Sequence, residues 1–210
     1  GTVSTSPDFV LAGTCTTSFQ TSGANRSNNI AVGASRLNNL IVLPGQTVSV
    51  SDTILPRTRA NGYKEAGVYV NGAHTTGLGG GVCQISSTVY NAVKNAGLTI
   101  VQRNPHSMPV SYLPKGLDAA IAAGSKDLKF RNDYTTPVVL YTDTSNKHLT
   151  VNVLVWNQEL AGRSFKLWAK QTGALSADTY FTTYLNGKEI STQFVGTSRY
   201  NPYREAVNDD

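Results

Sequence analysis

The stretch GLGGGVCQISSTVYNAVKNAG, residues 77–97, sets three consecutive glycines, Gly79, Gly80 and Gly81, just ahead of Cys83. Glycine lets a backbone approach a ligand closely and reach positive φ. The residues after the cysteine have a helical period: Ile85, Val89, Ala92 or Val93, and Ala96 form one apolar stripe, and Gly97 is a natural C-terminal cap. A cysteine at the start of such a helix meets unpaired N–H donors and the positive end of the helix dipole. Both stabilise a thiolate, which a sulfur nucleophile requires, and the same N–H groups suit a developing oxyanion. Gly80, Gly81, Val82 and Gln84 are therefore candidates for that loop's substrate contacts. The bland alternative is a tight turn that packs a buried cysteine against a sheet. A phosphate-binding loop is disfavoured, because the Lys-Ser/Thr ending is missing and no dinucleotide-binding glycine spacing fits.

On a helix beginning at Cys83, positions 86, 87 and 90 share the side of the sulfur. They hold Ser86, Ser87 and Tyr90, fit for substrate contact or for satisfying early backbone groups. Thiolate chemistry also needs a proton carrier, usually histidine. His148 opens a regular strand and reads as surface. His74 lies in a polar turn before the glycines. His106 sits in RNPHSMP, held extended between Pro105 and Pro109, and a helix, a strand and a return would bring it back to Cys83. No third and fourth ligand stands at metal-site spacing, so neither a metal nor another cofactor is expected. With only two cysteines, a Cys15–Cys83 disulfide is the competing use of the sulfur.

The elements around these residues read as α+β and rich in strand. Ile30, Ala34 and Leu37 mark a first helix within 25–39, ended by the turn LPGQ, so two main helices are expected. VSV (Val48–Val50) and VYV (Val68–Val70) alternate like short strands, the second running into Asn71-Gly72, a hairpin turn pair. Beyond the second helix come LTIVQRN, an extended MPVSYLPKG, DLKFRN, PVVLYTD and HLTVNVLVW. The last alternates Leu149, Val151, Val153 and Val155 as a half-buried strand does. After Trp156 the composition shifts: residues 164–171 and 178–195 read as strands, with Asn186-Gly187 as a turn. This divides the chain into a core, residues 1–157, and a small β extension with a C-terminal hairpin, residues 158–210.

At 210 residues, 40% hydrophobic and 15% charged, the chain can bury a real core and is not a disordered sequence. A formal charge of +5 from scattered basic residues, without a Lys/Arg run, argues against nucleic acid and suits work among anionic wall polymers. No apolar run nears the roughly 18 residues of a membrane span, and no signal peptide opens the chain. The ends at Gly1 and Asp210 are read as trimmed, with any export signal, membrane anchor or further wall-binding domain lying outside them.

The runs NRSNNIAVGASRLNNLIVLPGQTVSV, NGYKEAGVYVNG, GLGGGVCQISSTVYNAVKNAGLTIVQRNPHSMPVSYLPKGLDAAI and DLKFRN resemble the VanW domain family, from about Thr16 to Trp156. The tail TYFTTYLNGKEIS is similar to the strand segment that often trails this domain. Some members are L,D-transpeptidases that cross-link peptidoglycan stem peptides through a cysteine, so the resemblance implies an extracytoplasmic cell-wall enzyme. It further implies Cys83 as nucleophile and His106 as general acid and base. Arg103, Ser107 and Tyr112 become substrate-binding candidates, Arg103 because a guanidinium fork fits a carboxylate. Asp118 or Asp127 would orient the histidine, and the sequence does not choose between them. The better-known L,D-transpeptidases place a His-Gly pair before a Ser-x-Gly-Cys stretch, an order absent here, so a relation to them would be one of chemistry and not of fold. Two rival functions stand beside the transpeptidase: a non-catalytic module binding wall peptides, and a cysteine hydrolase of the same stems.

Overall fold

The computed structural model describes residues 8–54, 56–70 and 73–203. Its twelve strands are β1 (Phe9–Ser18), β2 (Leu40–Val42), β3 (Thr47–Ser49), β4 (Glu65–Val70), β5 (Ala73–Leu78), β6 (Thr99–Gln102), β7 (Lys129–Arg131), β8 (Val138–Asp143), β9 (His148–Trp156), β10 (Arg163–Gly173), β11 (Ser176–Leu185) and β12 (Lys188–Arg199). The helices are α1 (Ala24–Leu37), α2 (Val50–Ile54), α3 (Val82–Asn95) and α4 (Asn157–Leu160). The α+β, strand-rich class is as expected, with α1 and α3 as the two long helices. VSV is divided differently: β3 ends at Ser49, and Val50 opens α2. The Asn71-Gly72 turn lies outside the described residues.

The main sheet is antiparallel in the order β1-β9-β8-β2. The alternating valines of β9 face the core, with Leu149, Val151, Val153 and Val155 fully buried. Helix α3 packs across β1 and β9, and α1 lies beside it against β8. Ile85, Val89, Ala92, Val93 and Ala96 are buried to 0% exposure, so the helical period read from sequence is the core stripe. The crossing of α3 over β1 is too close for a side chain. A Cβ on Gly13 would sit 2.2 Å from the Ala92 carbonyl oxygen and 2.5 Å from the Ala96 nitrogen. The register of β1 against β9 shifts between Leu11 and Gly13 at this point. That bulge interrupts the two-residue alternation, and with it the pattern that would have marked β1 in the sequence.

A smaller sheet, β3-β7-β6, carries the long irregular connection 103–127 between β6 and β7. The C-terminal extension is a three-stranded antiparallel meander, β10-β11-β12, one strand more than the expected hairpin. It packs on the core: Leu167 and Ala177 are buried, and Leu167 N–H donates to Asn95 Oδ1 at 2.9 Å.

Candidate active site

Helix α3 starts from Gly81, whose φ of 106° is open to glycine and strained for other residues. The loop before it is held by Asn29, fully buried on α1. Asn29 Nδ2 donates to the carbonyls of Gly80 at 2.9 Å and Lys64 at 2.8 Å, and its Oδ1 accepts the Lys64 N–H at 2.8 Å. Gly80 is pressed against β4, where a Cβ would meet the Gly67 oxygen at 2.5 Å. Its N–H turns toward the Gly77 carbonyl at 3.4 Å, which withdraws Gly80 from the oxyanion role. Among the described residues, the N–H groups of Gly81, Val82 and Cys83 have no acceptor. These are the free donors that a helix start offers.

Cys83 is a free thiol, as is Cys15, so the competing disulfide is not formed. The residue is partly exposed, and its sulfur lies 3.4 Å from the Ile121 nitrogen and 3.3 Å from the Ile121 carbonyl oxygen. His106, on the connection 103–127, interacts with the sulfur closely enough to lower the thiol's pKa. The other face of the ring is fixed: His106 Nδ1 is 2.7 Å from Asp118 Oδ2, which also accepts the His106 backbone N–H at 2.8 Å. Nε2 is thereby the ring nitrogen left for the sulfur. Tyr200, just past the end of β12, donates its hydroxyl to Asp118 Oδ1 and accepts the Gly116 N–H at 2.7 Å.

The electrostatics follow from this chain of contacts. Burial opposes the Cys83 thiolate, yet the hydrogen bond and charge of His106, the Ile121 N–H and the charge of Arg57 outweigh it, so the thiol pKa lies below its ordinary value. Burial alone would lower the His106 pKa, but Asp118 and the sulfur raise it to about 9. For Asp118, burial is outweighed by its bonds to His106 and Tyr200, and its pKa falls to about 2. All three shifts favour the charged forms, thiolate, imidazolium and carboxylate. Cys15 shows the contrast: burial without partners pushes its thiol up to about 11.

Of the two carboxylates, Asp118 is the one in contact with the His106 ring. Asp127 is committed elsewhere, accepting from Ser49 Oγ at 2.5 Å, Ser51 N at 3.0 Å and Leu128 N at 2.8 Å, where it caps α2. His74 is exposed on β5, and His148 Nδ1 is 2.9 Å from the Asn146 carbonyl; neither touches the sulfur.

Several expected substrate contacts are structural instead. The polar face of α3 is stitched to residues 117–121, which run alongside it. Ser86 Oγ and Ser87 Oγ donate to the Ala119 carbonyl at 2.5 and 3.1 Å, Ser87 Oγ accepts the Ala119 N–H at 2.9 Å, and Asn91 Nδ2 reaches the Leu117 carbonyl at 2.7 Å. Both serines are at 0% exposure, so no substrate reaches them. Gln84, also buried, donates to Thr17 Oγ1 at 2.9 Å and the Ser18 carbonyl at 3.0 Å and accepts from Arg26 at 2.9 Å. Arg103 spends its guanidinium internally, on the Asp118 carbonyl at 2.8 Å, Ser198 Oγ at 2.9 Å and the Gly116 carbonyl at 3.3 Å, above the Tyr90 ring. It therefore braces the site and is not free to clamp a carboxylate. Ser107 is exposed beside His106, and half-buried Tyr112 lies with its hydroxyl 3.4 Å from Ser87 Oγ. Sequence reasoning misses Asn29, Ile121 and Tyr200. Only Asn29 leaves a signal there, as a polar residue between the apolar positions of α1.

The profile of the VanW like protein family matches residues 25–154, which carry the cysteine at the glycine-led helix start and the His106–Asp118 pair. The chain belongs to that family. It is 44% identical over 124 residues to the uncharacterized protein YoaR of Bacillus subtilis (strain 168), covering 59% of this chain and 41% of the relative. It is 37% identical over 114 residues to the vancomycin B-type resistance protein VanW of Enterococcus faecalis (strain ATCC 700802 / V583), covering 52% of this chain and 42% of the relative. The matches thus span about two-fifths of the length of these relatives. No solved structure matches the chain.

Proposed function

We propose that this chain is a cysteine-dependent L,D-transpeptidase acting on peptidoglycan stem peptides outside the cytoplasmic membrane. The observation that carries the reading is the alignment of Cys83, His106 and Asp118, with the sulfur beside unpaired N–H groups at the start of α3. A relative named for vancomycin resistance supports a cell-wall setting.

The chemistry then runs as acyl transfer. The Cys83 thiolate attacks the carbonyl carbon between diaminopimelate and the terminal D-alanine of a donor tetrapeptide. As the C–S bond forms, the carbonyl electron pair moves to oxygen, toward the N–H groups of Gly81, Val82 and Cys83. Collapse breaks the C–N bond, and His106 Nε2 gives its proton to the departing D-alanine amine. The amine of a second stem attacks the thioester, His106 takes its proton, and the thiolate leaves with the C–S electron pair. Asp118 holds the ring and its charge throughout. No metal or cofactor takes part in this scheme.

The test is incubation of the full chain with tetrapeptide muropeptides, read by mass spectrometry beside Cys83→Ala of unchanged thermal melt. The expected result is a cross-linked dimer that has lost one D-alanine, absent with Cys83→Ala. Tripeptide with no dimer would make the protein a hydrolase, and equal dimer from both proteins would end the mechanism.

A further inference from the structure

We propose that Arg57 forms an anion subsite beside Cys83, so that the acyl donor carries a free carboxylate close to the carbonyl that the sulfur attacks. The name of the donor rests on the transpeptidase function proposed for this site, whereas the subsite itself does not.

The glycine loop lies between two arginines. Arg26 stands at Gly81, where a Cβ would come 2.7 Å from its Cγ, and Arg57 stands at Gly79, where a Cβ would come 2.5 Å from its Cδ and 2.9 Å from its Cγ. The positive φ of Gly79, 78°, and this contact together leave no room for another residue there. The two arginines differ in what they hold. Arg26 is engaged, with Nη1 on Ser22 Oγ at 2.7 Å and Gln84 Oε1 at 2.9 Å. Arg103, the third arginine of the site, is likewise spent. Arg57 is half-buried and makes no hydrogen bond or ion pair among the described residues. Its charge nevertheless reaches the sulfur, since it helps to lower the Cys83 pKa.

A half-buried guanidinium without a partner among the described residues has given up hydration and gained little there for it. A Cys83 thiolate offsets that cost at a distance. As the sulfur bonds to the donor carbonyl its charge moves away, and a carboxylate on the still intact donor supplies an anion to Arg57. In a stem tetrapeptide two carboxylates lie near the scissile amide: the C-terminal one of the departing D-alanine, and the one at the far end of the diaminopimelate side chain. Both present the same chemistry to Arg57.

The first measurement needs no natural substrate. Alkylation of Cys83 by iodoacetate, an anion, is compared with alkylation by neutral iodoacetamide in a Cys15→Ala background, using intact mass. Both reagents consume the thiolate, so their ratio cancels thiolate content and reports local charge on the approach path. Arg57→Gln should lower the iodoacetate-to-iodoacetamide ratio about five- to tenfold, the scale of one nearby charge, and Arg57→Lys should restore most of it. An unchanged ratio in Arg57→Gln overturns the proposal. The second measurement uses donors amidated at either carboxylate. Arg57→Gln should raise KM for the free donor and leave KM for one amidated donor unchanged, which identifies the carboxylate bound. Equal sensitivity of the free donor and both amidated donors to Arg57→Gln also overturns it. If no donor is turned over, the transpeptidase function fails, and the alkylation ratio still decides the subsite.

Discussion

The hydroxyl of Tyr200 donates to Asp118 while taking the N–H of Gly116, across 82 and 84 residues of chain. Tyr200 is 5% exposed, and it lies outside the region matched by the family, residues 25–154. The neighbouring Asn201 N–H reaches the Ser107 carbonyl at 2.7 Å, so the end of the extension clasps the histidine segment from two sides. Tyr200→Phe should leave the buried Gly116 N–H without its acceptor and take the hydroxyl from Asp118 Oδ1, which keeps Arg103 Nη2 at 3.6 Å, at a cost of about 1–3 kcal/mol. A melting temperature lowered by roughly 5 °C, together with slower alkylation of Cys83 at neutral pH, is the expected result.

Exchanging the two carboxylates for amides separates orientation from capping. Asp118→Asn should lower turnover on the order of a hundred-fold and bring the His106 pKa down from about 9, since its largest favourable contact is gone. Asp127→Asn should leave turnover near the parent level and reduce stability, because Asp127 caps α2. NMR titration of the His106 ring distinguishes them: a ring unaffected by Asp118→Asn would remove Asp118 from the site.

The dependence of stability on pH should be shallower than His106 alone predicts. Between the unfolded histidine value of about 6.5 and the folded His106 value of about 9, the native imidazole keeps a proton that the unfolded one has lost. Native Cys83, whose pKa is lowered, gives up its proton at lower pH than the unfolded thiol does, which opposes that slope. Alone, raised His106 contributes stability that is full below about 6.5 and lost as pH rises toward about 9. Cys83→Ala removes the opposing contribution while Asp118 still raises His106, so its melting temperature should fall more steeply with rising pH in this window than the parent's. Asp118, lowered to about 2, adds a loss in both proteins as pH drops from about 4 toward 2. Parallel profiles for parent and Cys83→Ala in the window from about 6.5 to 9 would refute the ion pair.

Gly13→Ala tests the crossing of α3 over β1. The added Cβ meets backbone atoms at 2.2 and 2.5 Å, which no side-chain rotation relieves. A loss of at least about 2 kcal/mol is expected, visible as a lower denaturant midpoint. A midpoint equal to the parent's would mean that α3 is free to shift, and with it Cys83.

The parts legible in the sequence are those in which one local rule dominates. The stripe Ile85–Ala96, the alternation of β9 and the turn at Asn186-Gly187 each obey a single period or turn chemistry, and each is found where expected. Cys83 and His106 are singled out by the glycines and prolines beside them. What stays hidden depends on long-range contacts. Ser86 and Ser87 carry the right spacing for a site, and nothing local reveals that residues 117–121 already occupy their hydroxyls. Arg103 and Arg57 look alike in a sequence, and only packing shows that one is spent and the other unpaired among the described residues. Tyr200 is one tyrosine of 10, distinguished solely by where the chain brings it.

The stitching of α3 to residues 117–121 also bears on where motion enters the reaction. Eleven of the fourteen residues of α3 are buried, and Ile121 meets the sulfur from the same segment that holds Asp118. Cys83, His106 and Asp118 therefore share one frame whose rotational entropy is lost during folding, before any ligand arrives. Effective molarity in such a site is set in advance by the protein, and the ligand does the adjusting. In the proposed transpeptidase, turnover should then be limited by how often a flexible wall polymer offers its peptide in the right pose. Shortening or stiffening the donor glycan, more than loosening the protein, is what should change the rate.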